Sequence, residues 1–190
     1  MSIKTTCTRQ SIKIDRQVDM VGGPLVSVIA LCYNHSRFVV ECLEGIRKQT
    51  YQHLQLIIID DESKDDSVSI IEEWISTHHV TCTFIKHTAN RGICKTVNEG
   101  LALARGKYIS IIGTDDVWLP DKLEHQVPVM EQLSEEVGVI YSDAYRIDEQ
   151  GNLLARRVIE CEYEKARNQL FDGRYVAPYS PPQKATSLAT

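Results

Sequence analysis

Short apolar runs alternate with amphipathic segments along most of this chain, starting at Leu25. The run at 54–59 is apolar without alternation, which is typical of a strand that is covered on both faces. The predicted strands lie at 25–32, 54–59, 83–86, 108–112 and 137–141. Strands separated by helical segments predict an α/β fold with a mainly parallel sheet, helices on both faces and right-handed crossovers.

Apolar residues recur at helical spacing between these strands. Ser36 is the predicted N-cap of the first helix, and Pro120 is predicted to open the last one. Ser63, Asp66 and Ser67 are interpreted as capping residues before the second helix. The predicted helices start near Ser36 and then cover about 66–76, 93–104 and 120–133.

The two ends of the chain show no sustained period. Residues 1–23 are predicted to be a flexible leader, and residues 24–154 are predicted to be the folded domain. The pattern weakens after Leu154, and the last residues, 178–190, are rich in Pro, Ser, Thr and Ala. We therefore interpret 155–190 as an incomplete segment with an irregular tail, and we expect the domain to be truncated at its C-terminus.

Composition narrows the class of protein further. The 190 residues are 43% hydrophobic and 25% charged, as in ordinary globular domains. Scattered basic residues and a net charge of -5 argue against a nucleic-acid partner. The six cysteines include no C-x-x-C pair, and no apolar stretch approaches the ~20 residues of a membrane helix. We expect a cytoplasmic protein.

Two acidic pairs, Asp60-Asp61 and Asp115-Asp116, each follow a predicted strand. Ligands of open α/β sheets bind outside the carboxyl ends of the strands, so we expect both pairs to face one cleft. Carboxylates gathered in this way repel each other unless a cation compensates, and hard oxygen ligands suit Mg²⁺ or Mn²⁺. The alternative for either pair alone is a turn or a helix cap.

Other polar residues lie at the same predicted edge. Tyr33 ends the first strand, where its ring could stack on a base, although a core tyrosine is the alternative. Arg91 lies in a loop with Asn90 and Gly92, where a guanidinium suits phosphate and glycine admits close approach; a plain surface loop explains them equally well. The six histidines lack the spacing of a zinc site.

Four motifs follow one another along residues 25–152. They are VSVIALCYN at 26–34, IDDES at 59–63, Asn90-Arg91-Gly92 with Asn98 and Gly100, and Gly106-Lys107-Tyr108 leading to Thr114-Asp115-Asp116. In this order and spacing they resemble family 2 glycosyltransferases of the GT-A fold, a Rossmann-like α/β architecture.

The resemblance implies a role for each matching residue. Tyr33 stacks on the base of a nucleotide sugar, Asp61 accepts a hydrogen bond from that base, and Asp115 contacts the ribose. Asp116 ligates the Mn²⁺ or Mg²⁺ that bridges the diphosphate, and Arg91 belongs to the nucleotide site. Uridine is the expected base.

The resemblance also implies the partners and the place of the reaction. It implies inverting transfer to a saccharide or lipid-linked acceptor, in the synthesis of a cell-surface polysaccharide or glycolipid. The site of synthesis would be the cytoplasm or the inner face of the membrane, and a peripheral association of the full-length protein with the membrane stays open.

The sequence departs from the family pattern at three places. Leu31 stands where many relatives have Pro, and Thr114 replaces the first acid of a spaced D-x-D. After Asn152 nothing matches the acidic pair that contains the family's catalytic base, so no catalytic residue is assigned.

The alternative function is therefore a truncated, inactive module that binds nucleotide sugars. A dehydrogenase is disfavoured because no G-x-G-x-x-G follows the first strand.

Overall fold

A parallel sheet forms the centre of the computed structural model, which describes residues 22–133, 137–140, 142, 144–155 and 186–188. Its strands are β1 (Val26–Cys32), β2 (Leu54–Asp60), β3 (Cys82–Lys86), β4 (Tyr108–Gly113), β5 (Val139–Ile140) and, much later in the chain, Thr186–Leu188. Two further strands, β6 (Arg146–Ile147) and β7 (Leu153–Ala155), lie between β5 and this last strand in the chain, so Thr186–Leu188 is numbered β8. The predicted mainly parallel α/β fold is confirmed.

The six-stranded sheet has the order β3-β2-β1-β4-β8-β5, and every neighbouring pair is parallel. β8 lies where the sequence predicted an irregular tail, and it is inserted between β4 and β5. The backbone donors and acceptors of two neighbouring strands can pair with any extended segment, whatever its side-chain pattern. The predicted leader and most of 155–190 lie outside the described residues.

Residues 144–155 group separately from the described residues of 22–142 and 186–188. This second unit contains β6 and β7, which pair antiparallel. Asp148 holds the turn between them, since its carboxylate accepts hydrogen bonds from the backbone amides of Gln150 and Asn152. Residues 148–152 therefore form the turn of a β-hairpin.

Four helices accompany the sheet in the described residues: α1 (Val39–Arg47), α2 (Ser67–His78), α3 (Ile93–Leu103) and α4 (Lys122–Gln132). One core contains β1, β2 and β4 residues with the apolar faces of α1, α2 and α4. Ile29, Ile57, Ile59 and Ile109 point to the opposite face, where Leu101 of α3 packs on them. Helices thus cover both faces, as predicted. No helix in the described part of the chain has the length and apolarity needed to cross a membrane.

Two of the predicted helix starts are wrong. The first helix begins at Val39, because 36–38 form a turn in which Phe38 and Val39 donate to the carbonyl of His35. The last begins at Lys122, since the carbonyl of Pro120 accepts a hydrogen bond from the Thr50 amide instead of opening the helix.

The strand β4 is entered through a close approach at Gly106. A Cβ at this position would lie 2.6 Å from the amide nitrogen of Ser27 and 2.7 Å from the carbonyl oxygens of Leu25 and Tyr108. All three contacts are backbone atoms of the central strands, so they cannot move aside as a flexible side chain would. Close packing against the backbone therefore explains why glycine stands at the first position of Gly106-Lys107-Tyr108.

We predict that Gly106→Ala lowers the free energy of unfolding by about 2 kcal/mol or more, the upper range for forced overpacking. Urea denaturation measures this value. Gly138→Ala is the matched control, because a Cβ at Gly138 meets no atom within 4 Å. Equal stability of the two variants would contradict the close backbone packing described for Gly106.

Candidate functional site

The carboxyl ends of β1, β2 and β4 lie level with one another. In the sheet register Cys32 is opposite Asp60, and Leu31 is opposite Gly113. The ladder continues one residue past the strands, since the amide of Asp61 donates to the Cys32 carbonyl and that of Thr114 donates to the Leu31 carbonyl, each at 2.9 Å. The residues that follow the strands are therefore fixed by the sheet itself.

A cleft of about 750 Å³ opens at this edge. Tyr33, Asp61 and Asp115 all line it, so the structure brings together three of the five predicted site residues. Arg91 and Asp116 adjoin the lining residues in sequence. The remaining lining residues are Leu31, Cys32, His35, Asn90, Gly92, Ile93, Thr96, Val97, Ile111 and Gly113.

Tyr33 presents its ring to solvent and is 45% exposed, so it is not a core residue. The following residue, Asn34, takes a left-handed conformation with φ 59°. Its side-chain oxygen accepts a hydrogen bond from the Lys64 amide at 2.7 Å, and its own amide donates to Ser63 Oγ at 2.8 Å. Asn34 thus joins the loop after β1 to the loop after β2 and leaves the Tyr33 ring free for stacking.

Asp61 is buried, and hydrogen bonds from the loop before α3, from His87 and from Thr96 surround its carboxylate. Its Oδ1 accepts from the Arg91 amide at 2.8 Å and lies 2.7 Å from His87 Nδ1, while its Oδ2 accepts from the Gly92 amide at 2.9 Å. Burial alone would raise the pKa of Asp61, but these hydrogen bonds outweigh it and lower the pKa. Asp61 is therefore an ionised acceptor at neutral pH.

Sequence reasoning missed His87 and Glu99. His87 directly follows β3, and its Nε2 lies 2.9 Å from Glu99 Oε2 on α3. The guanidinium of Arg91 contacts the same oxygen at 2.9 Å. The sequence does contain a signal for His87, because it directly follows a strand, as the acids of the site do. The spacing of the histidines tests only for a metal site and does not detect this position.

Asp60 does not face the cleft. Its carboxylate accepts hydrogen bonds from the amide and the hydroxyl of Ser63. Asp60 therefore stabilises a turn, which is the alternative to a ligand site given above for an acidic pair. Of the predicted capping residues Ser63, Asp66 and Ser67, Asp66 holds the N-cap position of α2, but its side chain makes no capping hydrogen bond. The Asp65 carboxylate accepts from the Ser67 amide instead. Burial opposes ionisation there, but hydrogen bonds from Ser67 and Ser36 lower the pKa of Asp65 to about 2.

Asp115 and Asp116 stand side by side at the end of β4, and both are exposed. Desolvation and the neighbouring Asp115 charge raise the pKa of Asp116. His35 Nδ1 lies 2.9 Å from Thr114 Oγ1 and 3.7 Å from Asp115 Oδ1. Thr114 is fully buried, so the position of the missing first acid is occupied by a hydroxyl that faces His35.

The donor set suits a divalent cation. Two adjacent carboxylates with a raised pKa at Asp116 have unfavourable repulsion that a bound cation would relieve, and their oxygens are the hard ligands of Mg²⁺ and Mn²⁺. In the described residues no three His, Cys, Asp or Glu side chains form a complete metal cage. The protein would thus supply few ligands, as in sites where substrate phosphates and water complete the coordination.

The family model for "Glycosyl transferase family 2" matches residues 27–182 of the chain. An uncharacterized glycosyltransferase of Methanocaldococcus jannaschii, MJ1057, is 36% identical over 140 residues, which are 71% of this chain and 48% of that protein. The Escherichia coli "UDP-Glc:alpha-D-GlcNAc-diphosphoundecaprenol beta-1,3-glucosyltransferase WfaP" is 35% identical over 121 residues, covering 64% and 46%.

Solved structures give the same result. The mannosyltransferase PcManGT of Pyrobaculum calidifontis, in complex with GDP-Man and Mn²⁺, superposes with a TM-score of 0.58 at 26% identity over 72% of this chain and 40% of that one. The Staphylococcus aureus protein TarS with UDP-GlcNAc has a TM-score of 0.56 at 20% identity over 63% and 34%, a likeness of fold.

The chain spans about a fifth to a half of the length of the curated relatives that it matches. Within that span the parallel sheet, the cleft at the ends of its strands and the matched family model all indicate the same family. The chain belongs to glycosyl transferase family 2.

Proposed function

We propose that this chain forms the donor-binding part of an inverting glycosyltransferase that takes a sugar from a nucleoside diphosphate, with uridine as the expected base. One observation carries the proposal: a single cleft unites the exposed ring of Tyr33, the buried carboxylate of Asp61 and the exposed carboxylate of Asp115. An aromatic face, a fixed acceptor and a free acidic edge are the elements that a base, a ribose and a metal-bound diphosphate require.

Each residue has a role that its geometry supports. The Tyr33 ring stacks on the base, and Asp61 accepts a hydrogen bond from it. Asp115 accepts from a ribose hydroxyl, and Asp116 holds the cation, with Arg91 at the rim of the nucleotide site. A bound Mn²⁺ or Mg²⁺ neutralises charge that develops on the departing diphosphate.

The acceptor is proposed to be a saccharide or a lipid-linked saccharide of a cell-surface polysaccharide or glycolipid. The name of the E. coli relative, with a UDP-glucose donor and a diphosphoundecaprenol acceptor, supports this class. The Mn²⁺ of the P. calidifontis complex supports the metal, although its donor there is GDP-Man. We propose a cytoplasmic location, with peripheral contact at the inner face of the membrane for the full-length protein.

The test is donor binding followed by turnover. Isothermal titration of the chain with UDP, with and without Mn²⁺, measures the donor site, and transfer from UDP-sugars by the full-length protein measures the reaction. Absence of nucleotide binding under both conditions would overturn the proposal. Binding without transfer by the full-length protein would support the non-catalytic module instead.

We predict that Asp116→Asn removes the Mn²⁺-dependent part of UDP binding, about tenfold or more, because a neutral amide is a poorer ligand for a hard cation. Titration at fixed UDP and varied Mn²⁺ measures the effect. Asp66→Asn is the control, since Asp66 is an exposed acid whose side chain makes no capping hydrogen bond. Unchanged metal dependence in Asp116→Asn would exclude Asp116 as a ligand.

We predict that Gly113→Ala weakens UDP binding about tenfold with a stability change below about 1 kcal/mol. A Cβ at Gly113 would lie 2.6 Å from Asp115 Oδ1, and the carboxylate can swing away at little cost but then leaves its place in the cleft. Titration and thermal unfolding of the same variant separate the two effects. Wild-type affinity would show that the position of Asp115 does not matter.

A further inference from the structure

Four charged or titratable side chains run in series from the cleft to the surface. His87 Nδ1 lies 2.7 Å from Asp61 Oδ1, and His87 Nε2 lies 2.9 Å from Glu99 Oε2. Arg91 Nη1 lies 2.9 Å from the same Glu99 oxygen. We call the contacts of His87 with Asp61 and Glu99 the His87 bridge.

The two inner side chains of this series are buried, and the two outer ones are partly exposed. The side chains of His87 and Asp61 are 2% and 8% exposed, whereas those of Glu99 and Arg91 are 31% and 51% exposed. A hydrogen bond between buried groups is electrostatically stronger than one that is exposed to water. The inner contact of the His87 bridge is therefore the one whose loss would be felt most in the cleft.

Both ring nitrogens of His87 face carboxylate oxygens. With its N–H at Nδ1 the ring donates to Asp61, and the Glu99 carboxylate, which also pairs with Arg91, lies against Nε2. His87 is thus placed to hold Asp61 through Nδ1 while Glu99 fixes the other side of the ring.

The Asp61 carboxylate faces the cleft with one acceptor site that only a hydroxyl contests. Its Oδ1 faces His87 Nδ1 and the Arg91 amide, and its Oδ2 faces the Gly92 amide. The Thr96 side chain is a further hydrogen-bond partner of Asp61, but its hydroxyl also donates to the Gly92 carbonyl at 3.1 Å, and a hydroxyl has a single hydrogen. Because Asp61 lines the cleft, an N–H of a ligand there competes only with Thr96 for the last acceptor site.

We propose that His87, supported by Glu99, is a positioning residue that fixes Asp61 as an acceptor-only carboxylate and thereby selects nucleobases that present a ring N–H. The proposal rests on the proposed function, since it assumes that the base contacts Asp61. Uracil and guanine carry such an N–H on the edge that pairs, whereas cytosine and adenine present a lone pair at the corresponding ring nitrogen. A buried acceptor that is built for an N–H rejects a ligand that lacks it.

The experiment compares two neutral replacements of His87. The amide nitrogen of His87→Asn lies near the place of Nδ1 and keeps a donor toward Asp61, whereas that of His87→Gln lies near Nε2 and reaches toward Glu99. Binding of UDP, GDP, CDP and ADP is measured by isothermal titration in Mn²⁺. His125→Gln is the matched control, because this histidine is exposed on α4.

We expect the wild type to bind UDP or GDP at least about tenfold more tightly than CDP and ADP, the size of one well-placed hydrogen bond. His87→Gln should lose about tenfold in affinity for the preferred nucleotide and most of the preference. His87→Asn should stay within about threefold of the wild type. Thermal unfolding of each variant is measured in parallel.

The outcomes separate the two proposals. If the wild type binds no nucleotide, the proposed function fails, and the role of His87 fails with it. If the wild type binds but shows no preference, or if both variants weaken all four nucleotides equally, His87 is a structural residue and only this inference is overturned. Should His87→Gln not fold, Glu99→Gln tests the same bridge, with a smaller loss of preference expected and an unchanged preference contradicting it.

Discussion

The hydrogen-bond ladder of the central sheet, with β1 in the middle, fixes the residues that directly follow three of its strands at the candidate site. β1 is paired on both sides, and the pairing does not stop at the strand ends. The amides of Asp61 and Thr114 donate to β1 carbonyls, and the amide of His87 donates to the carbonyl of Asp60 at 2.9 Å. The first residue after each of β2, β3 and β4 is therefore an extension of the sheet, and its side chain is positioned by backbone geometry instead of loop conformation.

The acids at this edge fall into two electrostatic groups. Asp61 is compensated by the protein, through two amides and His87, and the pKa of its carboxyl is lowered. Asp116 has the opposite shift, because desolvation and Asp115 raise its pKa and His35 offsets this only in part. In the described residues Asp61 thus has its hydrogen-bond partners within the protein, whereas the repulsion between Asp115 and Asp116 is one that a cation from outside would relieve.

The strands and the cleft could be predicted because apolar runs and strand-end acids are local features. Strands β1 to β4 differ from their predicted bounds by a residue or less at each end, and Tyr33, Asp61 and Asp115 meet as expected. The roles of the five predicted site residues stay predictions. His87 could not be found in this way, since its importance comes from Asp61 and Glu99, residues 26 and 12 positions away that only the fold brings together. The predicted start of α1 is wrong for a similar reason. The Ser36 amide donates to Asp65, which lies in a loop 29 positions further along the chain, so a contact that only the fold creates holds Ser36 in the turn before the helix.

The loop before α3 shows how the site and its support form as one unit. The side chain of Asn90 donates to the Asp61 carbonyl, and the amides of Arg91 and Gly92 donate to the Asp61 carboxylate. Gly92 has φ 77°, although a Cβ there would meet no atom within 4 Å, so the requirement for glycine is conformational and not steric. The amides of Arg91 and Gly92 thus share one acceptor, the Asp61 carboxylate, which ties the loop to the end of β2. Asp61 therefore organises the loop beside it, and Arg91 is brought beside Glu99 by the same backbone hydrogen bonds that hold Asp61.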